Sequence, residues 1–367
     1  MKTQKNLKAI VAAGGSGGHI MPALSIAKSL QKSGVEILYV GNKNSMEENI
    51  ISTTDISFKE IDVQKFYRKF TFAHIKFPWK ILKSMSDSMA IIKKFKPDFF
   101  VGTGGFVSGP VGYAAHLKKI PIFIQEQNSF PGVTSKILGK YAVNIFCGNE
   151  KAKDFFQTHK VIISGNPVNM SVISETEEID YNSYGLDKKS KKILLLGGSQ
   201  GSLALNNFLL PIIDELLDNN IQIIWQTGQR HLSEINKKVN GKKGVFTFDF
   251  TKSIGKIYNS IDLVIARAGA ISLAEFEIKK IPSILIPLPT AAENHQFFNA
   301  QSLVIKNVAL MAEQKDLTSD LLLNKILLCM NNLDYYIGNF KESNHLGASK
   351  LISETILRSI KKNETTN

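Results

Sequence analysis

Two glycine-rich loops, each directly after a short apolar run, constrain this chain more than any other feature. Residues 14–19 (GGSGGH) follow the run AIVAA at 9–13, and residues 197–202 (GGSQGS) follow the run ILLL at 193–196. A buried strand, a glycine turn and a helix form a cradle for an anion, because the first N–H groups of a helix have no partner within it. The chain of 367 residues is long enough for two domains that each carry this device.

Further apolar runs alternate with helical patterns in both halves, at 35–40, 99–102 and 120–124 and again at 221–225, 245–248, 263–266 and 283–287. Strands separated by helices favour parallel sheets. We therefore predict an α/β protein with two doubly wound, Rossmann-like parallel-sheet domains facing a central cleft. The expected bounds are 1–168 and 169–345, joined through a polar linker at 174–192, and the last amphipathic helix (346–367) is expected to return to the first domain.

Composition and local motifs disfavour several classes of protein. The two cysteines, Cys147 and Cys329, lie far apart, which disfavours a structural zinc site and indicates a reducing compartment. No run approaches the about 20 apolar residues of a membrane span, so a soluble cytoplasmic chain is expected. The first loop has Ile20 where a dinucleotide fingerprint needs its third glycine, and the second strand ends in Gly41-Asn42 without an acidic residue, which disfavours a nicotinamide enzyme.

A nucleotide site is predicted after the run at 263–266. The N–H groups of Ile271 and Ser272 would open a helix and face a diphosphate, and Glu275 could accept two hydrogen bonds from a ribose diol. The alternative is a capping box in which Ser272 and Glu275 only close the helix end. The loop at 197–202 and the segment ENHQ at 293–296 are expected at the same carboxyl edge of the sheet, where open α/β folds bind ligands, and this favours the ligand site.

Seven motifs in one order carry a resemblance to a known family: GGSGGH at 14–19, GTGGFVSGP at 102–110, EQN at 126–128, GNPV at 165–168, GGSQG at 197–201, RAGA at 267–270 and AENHQ at 292–296. Together they resemble the MurG family of peptidoglycan GlcNAc transferases, which are two-domain GT-B glycosyltransferases. The resemblance implies that GlcNAc passes from UDP-GlcNAc to the C4 hydroxyl of MurNAc in lipid I, giving lipid II. It also implies inversion, no metal or other cofactor, and a peripheral location on the cytoplasmic face of the bacterial inner membrane.

The resemblance also assigns substrate-binding residues by position. Those of the first domain that face the donor are Ser16, Gly17, Gly18 and Asn128. Those that contact the nucleotide are Asn169, Ser199, Thr251, Ala270, Ile271, Ser272 and Glu275, and those that contact the GlcNAc hydroxyls are Gln296 and Asn299. The loop expected to bind the acceptor diphosphate contains Gly104, Gly105 and Ser108. The family usually has arginine at the position of Asn169 and histidine at the position of Gln125.

The sequence also bears on the chemistry. It contains no Asp-x-Asp pair to hold a divalent ion, so helix N–H groups would have to stabilise the charge of the leaving UDP. Inversion needs a base for the acceptor hydroxyl. His19 is one candidate, because the positive end of a helix favours the neutral imidazole, and a histidine that only caps the loop is the alternative. Glu126 is the second candidate base.

A basic aromatic stretch at 65–83 contains no acidic residue, and the net charge of the chain is +13. Single-stranded nucleic acid, an anionic membrane and simple inward packing of a helix all fit such a pattern. A lipid-linked acceptor favours the membrane, and no nucleic-acid partner is expected. The predicted membrane contacts are Lys65, Phe66, Arg68, Lys69, Phe70, Phe72, Lys76, Phe77 and Trp79.

The sequence leaves two other functions open. A related GT-B enzyme that glycosylates diacylglycerol would have a similar donor site, although the loop at 102–110 favours lipid I. A nucleotide-sugar-binding or nucleic-acid-binding module without catalysis is disfavoured by the joint presence of His19, Glu126, Glu275 and Gln296.

Overall fold

The computed structural model describes residues 6–64, 73–198, 200–251 and 253–366, with side chains throughout except at 73–78 and 363–366. The chain divides into two units, Met1–Asn169 with Asn344–Asn367, and Met170–Ser343. Each unit is described by itself.

The first unit is built on a seven-stranded parallel sheet. Its strands are β1 (Lys8–Ala12), β2 (Glu36–Asn42), β3 (Ser57–Ile61), β4 (Phe99–Gly102), β5 (Ile122–Glu126), β6 (Asn144–Cys147) and β7 (Val161–Ile163). Its helices before residue 169 are α1 (Gly17–Lys32), α2 (Met46–Ile51), α3 (Ala73–Phe95), α4 (Gly105–Leu117) and α5 (Val133–Gly139), with 3₁₀ turns at Glu150–Phe155 and Thr158–Lys160.

The order of the strands in this sheet is β3-β2-β1-β4-β5-β6-β7. The direction of winding reverses between β1 and β4, which is where open α/β sheets bind their ligands. Successive residues of β1 point to opposite faces, so Val11 joins one buried cluster with Phe99 while Ile10 joins another with Phe100. Both faces are therefore covered, and the glycine loop after β1 emerges at the point of reversal.

The second unit repeats this plan with six parallel strands in the order β10-β9-β8-β11-β12-β13. Its strands are β8 (Lys191–Leu196), β9 (Ile221–Gln226), β10 (Val245–Phe248), β11 (Leu263–Ala266), β12 (Ser283–Leu285) and β13 (Ala309–Met311). Its helices are α6 (Met170–Ile173), α7 (Leu203–Leu209), α8 (Ile213–Asp218), α9 (Leu232–Val239), α10 (Ile254–Tyr258), α11 (Ala270–Lys279), α12 (His295–Ile305), α13 (Ser319–Met330) and α14 (Leu333–Gly338), with 3₁₀ turns at Leu210–Ile212 and Ala292–Asn294. The predicted fold class of two doubly wound α/β sheets is confirmed.

Tertiary contacts assign two segments near the domain bounds to their units. The stretch predicted as a linker packs on the second unit, because Ile179 and Leu186 are buried in its core. The last helix, α15 (Ala348–Thr366), belongs to the first unit, where Ile352 and Ile356 are fully buried in the core shared with α1. Within the described residues, no helix has both the length and the apolar character needed to cross a membrane.

Candidate active site

In the first unit, the loops after β1 and β4 touch each other at the point where the winding reverses. Gly104 and Gly105 have φ angles of +94° and +78°, a region that favours glycine. A Cβ on Gly105 would lie 2.1 Å from the carbonyl oxygen of Gly14, so a larger residue would force the loops apart. The N-termini of α1 and α4 are thereby brought to the same edge of the sheet, and their first N–H groups lack helical partners.

His19 lies in the first turn of α1 and is half-buried. Its Nδ1 lies 3.0 Å from the carbonyl oxygen of Thr103 and 3.2 Å from Oε1 of Gln127. Both oxygens can only accept, so Nδ1 must donate the hydrogen. In the neutral ring, Nε2 then holds the lone pair, which is the state that a general base requires.

Glu126, the second candidate base, is buried and already has partners. Its Oε1 accepts from the backbone N–H and the side-chain amide of Asn128, at 3.0 and 3.1 Å, and its Oε2 accepts from the N–H of Gly132 at 3.2 Å. The carboxylate therefore shapes the loop after β5 and anchors Asn128. This arrangement favours His19 over Glu126 as the base.

The remaining predicted residues of the first unit differ in accessibility. Ser16 and Gly18 are exposed and Gly17 is half-buried, so all three lie on an accessible helix start. Ser108 is fully buried, and its hydroxyl lies 2.5 Å from the carbonyl oxygen of Ala12 and 2.7 Å from that of Gly104. This geometry gives Ser108 a role in holding the β1 and β4 loops together.

In the second unit, α11 begins at Ala270 with Gly269 as its N-cap. Ser272 is thus the third residue of the helix and cannot be its cap, and no side-chain hydrogen bond caps this end. The capping-box alternative is therefore wrong. Ala270, Ile271 and Ser272 supply the first N–H groups of the helix at the carboxyl end of β11, where helix termini bind anions.

Glu275 lies one turn into α11 and is half-buried. Burial raises the pKa of its carboxyl to about 7, and a hydrogen bond from Tyr258 acts against that rise. The Tyr258 hydroxyl is 3.0 Å from Oε2, and the tyrosine itself is buried. One carboxylate oxygen therefore has a fixed protein partner, and the ionised form becomes dominant only above neutral pH.

Gln296 and Asn299 both hold the loop that precedes α11. Gln296 Oε1 accepts from the N–H of Ala268 at 3.2 Å and from that of Leu288 at 2.9 Å. Asn299 is buried, and its Nδ2 donates to the carbonyl oxygen of Ala268 at 3.2 Å. Both α12 side chains thus support the predicted diphosphate loop through its backbone.

Arg267 is a residue of this edge to which sequence reasoning assigned no role. Its guanidinium donates to four oxygens on three other segments, namely the carbonyls of Ile286 and Pro287, Ser202 Oγ and Gln314 Oε1, at 2.6 to 3.2 Å. Burial lowers the pKa of Arg267 to about 10, which keeps it charged at neutral pH. Its position directly after β11, in the RAGA motif, was the available signal.

Of the other predicted nucleotide contacts, the structure describes Thr251 and Asn169 but not Ser199. Thr251 is half-buried in the loop after β10, and its Oγ1 accepts from the N–H of Ser253 at 3.0 Å. Asn169 is half-buried at the end of the first unit, and nothing in the structure explains why it replaces the family's arginine. Ser199 lies outside the described residues, as do Lys65, Phe66, Arg68, Lys69, Phe70 and Phe72, while Lys76 and Phe77 have no described side chain.

Comparison with known proteins identifies the family. Residues 9–147 match the N-terminal domain of glycosyltransferase family 28, and residues 192–355 match its C-terminal domain. Relatives named UDP-N-acetylglucosamine–N-acetylmuramyl-(pentapeptide) pyrophosphoryl-undecaprenol N-acetylglucosamine transferase include one from Bacillus pumilus, 36% identical over 95% of this chain and 94% of the relative. Another, from Flavobacterium psychrophilum, is 40% identical over 85% of this chain and 86% of the relative. The chain belongs to the MurG family of glycosyltransferases.

Solved structures agree with this assignment. MurG of Acinetobacter baumannii is 27% identical and superposes with a TM-score of 0.76 over 96% of this chain and 99% of that one. The fold is shared with a UDP-GlcNAc 2-epimerase from Neisseria meningitidis, which is 14% identical. The two superpose with a TM-score of 0.69 over 96% of this chain and 100% of the epimerase. The predicted family and enzyme class are confirmed, whereas the roles of individual residues remain predictions.

Proposed function

We propose that this MurG-family enzyme transfers GlcNAc from UDP-GlcNAc to the C4 hydroxyl of MurNAc in lipid I, forming lipid II with inversion at the anomeric carbon. The observation that carries the proposal is the match over nearly the whole chain to relatives named for this transfer. The donor site is the carboxyl edge of the second unit, where the start of α11 would bind the diphosphate and Glu275 the ribose.

Three features of the described residues support this chemistry. The first N–H groups of α11 can stabilise the negative charge of departing UDP, which is the task that a metal ion performs elsewhere. Arg267, Gln296 and Asn299 hold that helix start in place through its backbone and neighbouring loops. In the first unit, Nε2 of His19 is available to take the proton of the C4 hydroxyl, and the loops at α1 and α4 offer further N–H groups to an anionic acceptor.

The test compares acceptors while measuring the release of UDP from UDP-GlcNAc. We expect release with a lipid I analogue, none with diacylglycerol, and no loss on addition of a chelator. The disaccharide product should carry a β-linked GlcNAc. Release that depends on diacylglycerol would overturn the acceptor assignment, and loss of activity with the chelator would overturn metal independence.

We also propose that the enzyme works as a peripheral protein on the cytoplasmic face of the bacterial inner membrane. The basic aromatic stretch continues into α3, where Trp79 is 76% exposed and Leu82 is 61% exposed. Large apolar side chains beside lysines are suited to an anionic lipid surface, and each nearby cation contributes about 1 kcal/mol. The lipid-linked acceptor gives such a surface its purpose.

Vesicle flotation tests this membrane surface. The wild-type chain should float with vesicles that contain anionic phosphatidylglycerol and much less with neutral ones. Replacing Trp79 and Leu82 together by serine is expected to reduce the floated fraction several-fold, because their exposed apolar area no longer inserts. Tyr335→Ser, at another exposed aromatic residue in the second unit, is the matched control and should float normally. Equal flotation of the Trp79/Leu82 variant and the control would refute the assignment.

A further inference from the structure

Three buried amide side chains, those of Gln125, Gln127 and Asn166, form a hydrogen-bonded chain beside His19. Nε2 of Gln127 donates to Oε1 of Gln125 at 2.6 Å, and Nε2 of Gln125 donates to Oδ1 of Asn166 at 3.2 Å. Each amide donates to the next one along, so the chain has a direction.

Two main-chain carbonyls determine that direction independently. Nε2 of Gln127 lies 2.8 Å from the carbonyl oxygen of Thr103, and Nδ2 of Asn166 lies 3.1 Å from the carbonyl oxygen of Gln127. Because a carbonyl only accepts, an amide nitrogen must face each of them. Reversing either amide would place two acceptors together in a buried site, at a cost of about 1–3 kcal/mol. The orientation of Gln125 follows from its two neighbours.

The orientation of Gln127 has a consequence for His19. With its nitrogen turned to Thr103, Gln127 presents Oε1 to His19 Nδ1 at 3.2 Å, next to the carbonyl of Thr103 at 3.0 Å. Two acceptors therefore surround the same ring nitrogen. The single proton of the neutral imidazole is retained there, and the lone pair remains on Nε2.

We propose that Gln127, oriented by Gln125 and Asn166, is a positioning residue that keeps His19 in the Nδ1-protonated tautomer. This inference rests on the proposed function, in which Nε2 of His19 takes the proton of the acceptor hydroxyl. When that proton arrives, the ring becomes imidazolium, and both of its N–H groups then need acceptors. Gln127 and Thr103 supply the acceptors on the Nδ1 side.

The inference also gives a role to a residue that departs from the family pattern. Gln125 stands where the family usually has histidine, and here its carbonyl oxygen holds the Gln127 amide in the required orientation. At the far end, the N–H of Asn166 donates to Nδ1 of His345 at 2.7 Å. The segment that leads into α15 is thus tied to the same buried chain.

The tautomer can be measured without activity. In the chain labelled with ¹⁵N-histidine, long-range ¹H–¹⁵N spectra above the pKa of the ring should show His19 protonated at Nδ1, its signals being assigned by their loss in His19→Ala. A ring protonated at Nε2 would overturn the inference, whether or not the enzyme transfers GlcNAc to lipid I.

The pH profile of kcat tests the role of Gln127. In Gln127→Glu, a carboxylate beside Nδ1 stabilises the imidazolium, so the acid limb should move to higher pH by about one unit or more. The control is Gln157→Glu, the same charge change at an exposed residue that precedes β7 and therefore lies at the opposite edge of the sheet. Transfer to lipid I with an unshifted profile in Gln127→Glu would refute the inference and leave the proposed function standing.

A second variant, Gln127→Met, tests the same role if Gln127→Glu folds poorly. Gln127→Met should lower kcat about tenfold, within the range of coupling between contacting residues, and should leave the KM for UDP-GlcNAc unchanged. In a His19→Ala background it should cause no further loss, since it acts through the ring. Additive losses in the double variant would show that Gln127 acts independently of His19.

Discussion

Replacing His19 by alanine is expected to lower kcat about 100-fold or more, the scale on which loss of a general base is felt. The hydroxyl of the acceptor would then have to lose its proton to water. His19 does not belong to the predicted diphosphate and ribose contacts in the second unit, so the affinity for UDP should change little. Turnover with a lipid I analogue and titration calorimetry with UDP provide the two measurements.

A control variant separates this effect from a general loss of histidine. His159→Ala changes an exposed residue in the 3₁₀ turn Thr158–Lys160, ahead of β7 and away from the carboxyl edge of the sheet. It should retain wild-type turnover. Near-normal turnover in His19→Ala would show that His19 is not the base and would favour Glu126.

Replacing Glu275 by alanine is expected to weaken binding of UDP-GlcNAc by about 100-fold. Two hydrogen bonds from a ribose diol to a carboxylate are lost, each worth about 1.5 kcal/mol or more. Glu234→Ala, at an exposed carboxylate on α9, is the matched control and should bind normally. Donor affinity is measured by calorimetry. Unchanged affinity in Glu275→Ala would refute the proposed contact between Glu275 and the ribose.

The same carboxylate predicts how donor affinity depends on pH. The pKa of Glu275 is raised to about 7, so the carboxyl is mostly protonated at pH 6 and mostly ionised at pH 8. Only the ionised form accepts both ribose hydroxyls, so affinity should rise by up to about tenfold across this range. Glu275→Gln should flatten the profile. Tyr258→Phe removes the hydrogen bond that favours ionisation and should move the midpoint to higher pH.

Local signals in the sequence were sufficient for much of the fold. The run at 99–102 coincides with β4, and the helical spacing after Ile20 lies inside α1, which starts three residues earlier, at Gly17. Such strands are recognisable because a parallel sheet is buried on both faces, so each of its strands is a nearly continuous apolar run. The sequence predicted doubly wound parallel sheets but not the order of their strands, since the pairing of strands depends on contacts between residues distant in sequence.

The amino-acid sequence by itself determined which family this chain belongs to, through its ordered motifs. It also determined where the glycine turns would occur and which segments would be helices, because turn chemistry and hydrophobic period act over a few residues. Only the tertiary structure decided what the polar side chains do there. Ser272 is excluded as a cap by where α11 begins, and Glu126 is bonded to its own loop. The protonated nitrogen of His19 is set by Thr103 and Gln127, which are distant in the chain. A buried polar group takes its role from whichever partner lies within about 3 Å, and folding alone brings those partners together.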